Sequence, residues 1–327
     1  MIRYLVARAL GALGILLLAS MTIFVAVAAS GDPLAQLRDH QPPVPQSVLD
    51  AEAVRLGLDD NLAVRYLHWL LRLVQGDFGP SVVVNRDIFT ELTTRVGVTL
   101  RLVVVALVLA LVLALVAGTA AAVRRGRWFD RFFTPLTFLL LALPSFWLTV
   151  IAKQAGILLN DAVGENVLPT VGAGPVAAAD GFWDQFFGTA AHLVLPTLVL
   201  CLVHFSIWSR YQRSAVLESL QGDHVKFALV RGLARKRVIR SYAVRTSLVP
   251  IVTVVALELP VLVSGAIVTE TVFQWEGMGA FLLDSISHRD MNAILGWLMI
   301  AGVAVVLCNL LADVLYLVID PRIRHAA

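Results

Sequence analysis

Charge is scarce in this chain: of 327 residues only 15% are Asp, Glu, Lys or Arg, while 58% are hydrophobic, where a soluble domain carries about 25% charged residues. That shortage excludes a surface solvated by water all round. Cysteine is scarcer still. Cys201 and Cys308 each lie inside an apolar run, so neither a disulfide framework nor a zinc knuckle can be assembled. No G-x-x-x-x-G-K-[ST] motif occurs, so any ATP hydrolysis belongs to another chain. No nucleophile motif, repeat of solenoid length or low-complexity tract is found. The net charge of +3 does not argue for nucleic acid, because the basic residues stand in short segments between apolar runs, where membrane topology places them.

What the chain has is long apolar stretches. About 20 such residues cross a bilayer as a helix, and five uncharged stretches are long enough: Ala9–Gly31, Leu102–Val123, Phe132–Ala152, Gln185–Ser209 and Met291–Ala312. Thr246–Thr269 is a sixth, divided by Glu258. The fold class expected is all-α, a polytopic membrane protein of six transmembrane helices. A cleavable signal peptide is the rival reading of the first 30 residues, but 23 uncharged residues exceed the roughly 7–15 of a signal core.

Lys and Arg accumulate on the cytoplasmic side of spans. With the N-terminus inside, the inner segments hold 17 of the 26 and the outer segments 7, with Arg101 and Lys153 near span ends. Both termini are then expected in the cytoplasm of a bacterium, the chain being multi-pass in its inner membrane. The organisation reads as a first span (residues 1–31), an extracytoplasmic segment (32–96) and a five-helix core (97–327) with a cytoplasmic loop at 210–245. Within the external segment, Pro42-Pro43-Val44-Pro45 is a breaker, and Gln46–Leu58 and Asn61–Val74 read as short amphipathic helices. The segment either caps a channel mouth, docks a partner or is a packed extension.

The inner loop contains Gly222-Asp223-His224-Val225-Lys226-Phe227-Ala228-Leu229-Val230-Arg231-Gly232, then a basic stretch to Arg245. Asp223 is suited to cap a short helix, Val225, Phe227, Ala228 and Leu229 to give it an apolar face, and Gly232 to end it in a left-handed cap. Holding anionic membrane lipid is the alternative use of so basic a loop.

This loop resembles that of ABC-importer permeases of the oligopeptide, dipeptide and nickel class, and the resemblance covers nearly the whole chain. Asp223, Lys226 and Gly232 are similar to that family's coupling-helix residues. Val244-Arg245-Thr246-Ser247-Leu248-Val249-Pro250 and Leu143-Pro144-Ser145-Phe146-Trp147 resemble its fifth-span and third-span segments. Gly76-Asp77-Phe78-Gly79 with Ser81 and Thr99-Leu100, then Glu270-Thr271-Val272-Phe273 through Gly277-Met278-Gly279 to Arg289-Asp290, then Asp313–Tyr316 with Asp320–Arg324, resemble the B-type subunit. Glu276 stands where the family usually has Pro, and His224 where it has an aromatic residue.

The resemblance implies a type I importer fold and no catalytic residue, metal or cofactor in this chain. It also implies a second homologous permease, two ABC ATPase subunits or one fused ATPase binding ATP and magnesium, and an extracytoplasmic substrate-binding protein. Asp223 and Gly232 would start and stop the coupling helix, with Val225, Lys226, Phe227, Ala228 and Arg231 in its docking set. Oligopeptides lead as substrate, then dipeptides, with nickel or glutathione behind. Gly76, Asp77, Gly79, Gly277 and Gly279 mark the external loops.

Two charged residues are candidates for the translocation path. Glu258 stands near mid-bilayer, where a charge usually faces a cavity or a partner. It either attracts a peptide ammonium group or pairs with another helix. Arg101 either meets substrate or snorkels to the interface, and Lys153 invites the same choice. His192 and His204 have no ligand partners at metal spacing and read as packing residues. Asn309 and Asp313 share a face of the sixth span and are expected to bond across helices. Two remote readings are an intramembrane hydrolase using His192, Glu258 and Asp313, and a structural or receptor protein whose basic loop holds only lipid.

Overall fold

The structure is a computed structural model that describes residues 2–38, 44–83, 85–175 and 181–319. The Pro42-Pro43 breaker and the Asp320–Arg324 signature lie outside the described residues, as do the side chains of Asp313 and Tyr316. Among the described residues every regular element is helical: α1 (Ile2–Ala29), α2 (Ala35–Arg38), α3 (Gln46–Arg55), α4 (Leu62–Val74), α5 (Ile88–Val123), α6 (Trp128–Ala142), α7 (Ser145–Val163), α8 (Phe182–Gln221), α9 (Asp223–Val230), α10 (Arg235–Val238), a π-helical segment (Ile239–Val244), α11 (Arg245–Val272), α12 (Met278–Ser287) and α13 (Met291–Ile319).

Among the described residues five helices are long and apolar enough to cross a membrane, and a bent pair supplies a sixth crossing if it counts as one span. That pair contains the expected third span Phe132–Ala152, which is broken within its length. The chain turns by 103° between α6 and α7. Pro144 has no N–H to continue the ladder, and its ring pushes the preceding residue out of helical space. Leu143 accordingly sits at φ −78°, ψ 128°, and Pro144 at φ −59°, ψ 138° serves as the N-cap of α7.

The chain divides into two compact units. The first comprises residues 1–99 and 276–307, the second residues 100–275 and 308–327. In the first, Phe24, Trp69, Met291 and Leu295 form one buried cluster, and Phe78, Ile88, Leu92, Met278, Phe281 and Ala293 another. The two expected helices are present as α3 and α4, but only α4 is two-sided, α3 burying Leu49 alone, and the Asn61 side chain caps α4 by accepting from the Ala63 N–H. Such a cap contributes about 1 kcal/mol.

In the second unit α8 is the central post, packed by α6, α7 and α11. Small residues allow the closest approaches: a Cβ added at Gly118 would stand 2.5 Å from the Ser209 carbonyl oxygen, and one at Gly156 2.6 Å from a Leu195 methyl. Gln212, fully buried on α8, donates to Thr119 Oγ1 at 3.2 Å and Ser247 Oγ at 3.1 Å. Polar side chains of this kind join helices where water is absent.

Candidate coupling helix and intramembrane polar residues

α9 is eight residues long, too short to persist alone. It is fixed at its end and along one side. Gly232 takes φ +76°, the Gly232 N–H donates to the Leu229 carbonyl at 2.9 Å, and the Leu233 N–H donates to the Ala228 carbonyl at 3.3 Å. This pair of bonds is the Schellman termination that a left-handed glycine permits. Val225 and Ala228 are buried against Val238 and Ala243, with Leu220 and Leu233 packed on the cluster.

The expected apolar face is therefore split. Val225 and Ala228 hold the helix to its own chain and are not presented to a partner, whereas Phe227 is 71% and Val230 85% exposed. Lys226 and Arg231 are also exposed. Asp223 differs from its expected cap role. Gly222 occupies the N-cap position, and the Asp223 carboxylate sits in the first turn accepting from Lys226 Nζ at 3.1 Å. A carboxylate there still complements the helix dipole. His224 folds back, its Nε2 3.1 Å from Ser219 Oγ.

Glu258 is tethered. Its Oε2 accepts from the Trp208 indole N–H at 2.8 Å and lies 3.5 Å from His204 Nδ1. Trp208 is fully buried and His204 nearly so. The partner reading of Glu258 thus has geometric support, while its remaining exposure of 24% leaves a part of the carboxylate accessible.

Arg101 does not run free to an interface. Its Nη2 donates to the Ala173 carbonyl at 2.6 Å, and its guanidinium lies 5.3 Å from the Trp275 ring centroid. Lys153 likewise donates to the Val272 carbonyl at 2.6 Å, in the last turn of α11. Both cations secure the loop beyond α7 and the end of α11, where the Gly172 N–H also donates to the Phe273 carbonyl at 2.9 Å. His192 bonds the carbonyl four residues before it. Asn309 lies on α13, and no group of three His, Cys, Asp or Glu that could hold a metal occurs among the described residues.

The external motifs, two hundred residues apart in sequence, meet in the first unit. Gly76 and Gly79 take φ +83° and +89°, and the Asp77 carboxylate accepts from the Gly79 N–H at 2.8 Å. Phe78 then inserts among Met278, Phe281 and Ala293. Ser81 donates to the buried Asp290 carboxylate, Asn292 Nδ2 donates to the Pro80 carbonyl at 2.7 Å, and the Met278 N–H donates to Thr99 Oγ1 at 2.8 Å. Gly277 is the N-cap of α12 and Gly279 is buried within its first turn. At Glu276, where a proline was expected, the turn is made instead by Gln274 at φ +50°.

Residues 110–325 match the family described as binding-protein-dependent transport system inner membrane component, and residues 1–103 match its N-terminal companion. The chain belongs to this family. The permease is 37% identical over 324 residues to the oligopeptide transport system permease protein OppB of Mycobacterium tuberculosis (strain ATCC 25618 / H37Rv), covering 99% of each chain. It is 33% identical over 327 residues to AppB, an oligopeptide transport system permease protein of Bacillus subtilis (strain 168), covering 99% of this chain and all of the relative. The dipeptide transport system permease protein DppB of Escherichia coli (strain K12) is 32% identical over 287 residues, 83% of each chain. Among solved structures the permease resembles an inward-facing form of the MetNI methionine ABC transporter, with TM-score 0.57 at 16% identity over 72% of this chain and 100% of that one. At that identity the likeness is one of fold. The chain is thus a subunit of an ABC importer and a transporter component rather than an enzyme.

Sequence reasoning missed three features of the permease. Asp130 is buried and receives Arg213 in a two-pronged pair, Nε at 2.7 Å and Nη2 at 3.1 Å, joining α6 to α8. Arg86, 7% exposed, pairs with Glu91 at 2.7 Å and Asp284 at 2.9 Å and lies over the Phe281 ring at 4.4 Å. The π-helical segment between α10 and α11 has no sequence signal. The ion pairs were hidden because their Arg members were counted only as topological charge.

Proposed function

We propose that this permease is the B-type subunit of a peptide importer, with oligopeptides as the leading substrate class and dipeptides next. It would form the translocation path with a second homologous permease, receive substrate from an extracytoplasmic binding protein, and be driven by two ATPase subunits, or one fused ATPase, that hold ATP and magnesium. The observation that carries this reading is α9. A short helix is immobilised from behind by Val225 and Ala228 and capped at Gly232, while it offers Phe227, Val230, Lys226 and Arg231 outward. A partner inserted there would push on a fixed object, which conversion of ATPase closure into helix rearrangement requires. Preference for oligopeptides is supported by the fuller coverage and higher identity of the OppB relative.

Affinity purification from native membranes in mild detergent tests the proposal, with mass spectrometry of the companions. The intact chain is expected to bring down ATPase and a second six-span subunit. Phe227→Asp, and separately the pair Gly232→Asp with Asp223→Arg, are expected to lose the ATPase and keep the second permease. ATPase retained by Phe227→Asp rules out α9 as the docking element, and no ATPase with any form rules out the importer assembly.

A further inference from the structure

Three sectors run along α4. At 100° per residue, Tyr66, Trp69, Leu70 and Leu73 share the side that packs on α1 and the start of α13. Val64, Leu67, Leu71 and Val74 form a second, apolar side, 41–84% exposed. Arg65, His68 and Arg72 lie between these two. The Tyr66 hydroxyl reaches Ser20 Oγ at 2.9 Å and the Leu17 carbonyl at 3.3 Å, well inside the apolar stretch Leu10–Ala29. α4 therefore lies beside the apolar part of α1, and its exposed apolar side points away from that contact.

The basic sector opens into a cleft of about 170 Å³ that Phe24, Trp69, Met291 and the end of α3 help to line. This is several times the ~30 Å³ share of one water. Three guanidiniums, Arg55, Arg65 and Arg72, line it against one carboxylate, Asp60, which lies 3.7 Å from His68. Arg55 is already engaged by Glu52 and the Ser81 carbonyl. Arg65 makes soft contacts, with Met291 Sδ at 3.7 Å and the Phe24 ring at 6.0 Å, and burial pushes its pKa below the ordinary value against the opposing pull of the Asp60 charge. The Trp69 indole N–H, on a side chain 4% exposed, has no hydrogen-bond partner among the described residues. Buried indole N–H groups usually find an acceptor. The cleft thus holds an excess of donors and positive charge, three guanidiniums against the single Asp60 carboxylate.

We propose that this cleft binds the phosphodiester of an anionic phospholipid from the outer leaflet, with an acyl chain lying along Val64, Leu67, Leu71 and Val74. The leaflet follows from the N-terminus-inside orientation. An apolar strip beside a basic strip on one helix is the arrangement by which interfacial helices hold lipid, and a forked guanidinium matches a phosphate. The α3–α4 hairpin is on this reading a lipid-anchored element of the permease.

Native mass spectrometry of the full-length chain, purified with its accompanying subunits and exchanged into phosphatidylglycerol or phosphatidylcholine, tests it. The parent should retain phosphatidylglycerol in preference, and Arg65→Gln with Arg72→Gln should weaken retention about tenfold, the loss of one to two charge-assisted bonds. Trp69→Phe, which removes the N–H together with part of the buried ring system, should weaken it by a smaller factor and lower Tm through the lost packing. Equal retention by parent and both variants overturns the proposal. So does equal retention of the two lipids, or displacement of lipid by millimolar inorganic phosphate, which would make the cleft a small-anion site.

Discussion

At the scale of single residues, Glu258 decides what an intramembrane carboxylate is for. Its bond to the Trp208 indole is kept by Glu258→Gln and lost in Glu258→Leu, which strands a fully buried N–H. The first is expected to preserve uptake within about twofold. The second should lower stability by about 1–3 kcal/mol, the cost of one unsatisfied buried donor, read as a fall in Tm in detergent. A collapse of uptake in Glu258→Gln with Tm unchanged would restore the substrate-attracting role. Asp290 gives a pH test. Burial pushes its carboxyl above the ordinary carboxylate range, against the Ser81 hydroxyl, the Ala293 N–H and the Arg86 charge. A raised folded-state pKa means that the stability due to this group is complete below the unfolded value, about 3.9, and is lost as pH rises through the folded value. Asp290→Asn has no such slope, so its Tm should gain on the parent's as pH rises from 4. Charged residues were the least legible from sequence. Arg101 and Lys153, read as either meeting substrate or snorkelling, are tied to backbone carbonyls, and a carbonyl acceptor brought in by the fold leaves no trace in local spacing.

At the scale of elements, α9, the proposed coupling helix, was legible in its end and less so in its sides. Gly232 announced a left-handed cap, and the backbone delivers it. Gly232→Ala places a Cβ in that conformation with nothing nearby to clash, so the expected loss is about 1 kcal/mol of backbone strain, visible as a modest fall in both Tm and ATPase retention. Which side of α9 faces inward depends on Val238 and Ala243, beyond the helix itself, and so could not be read from the helix alone. The break in the third crossing was hidden for a related reason. Pro135, Pro144 and Pro196 all stand in apolar runs, yet Pro135 and Pro196 lie inside continuous helices and only Pro144 begins a new one. A proline shows where a helix can break, and tertiary packing selects where it does.

At the scale of the whole molecule, the apolar runs predicted the crossings well, since crossing a bilayer demands length and little else. The sidedness drawn from Lys and Arg is testable directly. Ser47→Cys on α3 should react with an impermeant thiol reagent from outside the cell, and Lys236→Cys on α10 only after permeabilisation; the reverse pattern would invert the topology. One closed circuit within the second unit has a mechanical consequence. α8 leads into α9, α9 is fastened to the π segment through Val225, Ala228, Val238 and Ala243, the π segment runs into α11, and Glu258 on α11 is bonded back to Trp208 on α8. A braced triangle of this kind resists shear, so thrust applied at Phe227 would swing α8 and α11 together as a single lever. The six-residue π turn sets the register between α9 and α11 in that circuit, and returning it to ordinary α pitch would change how far the lever travels rather than whether it moves.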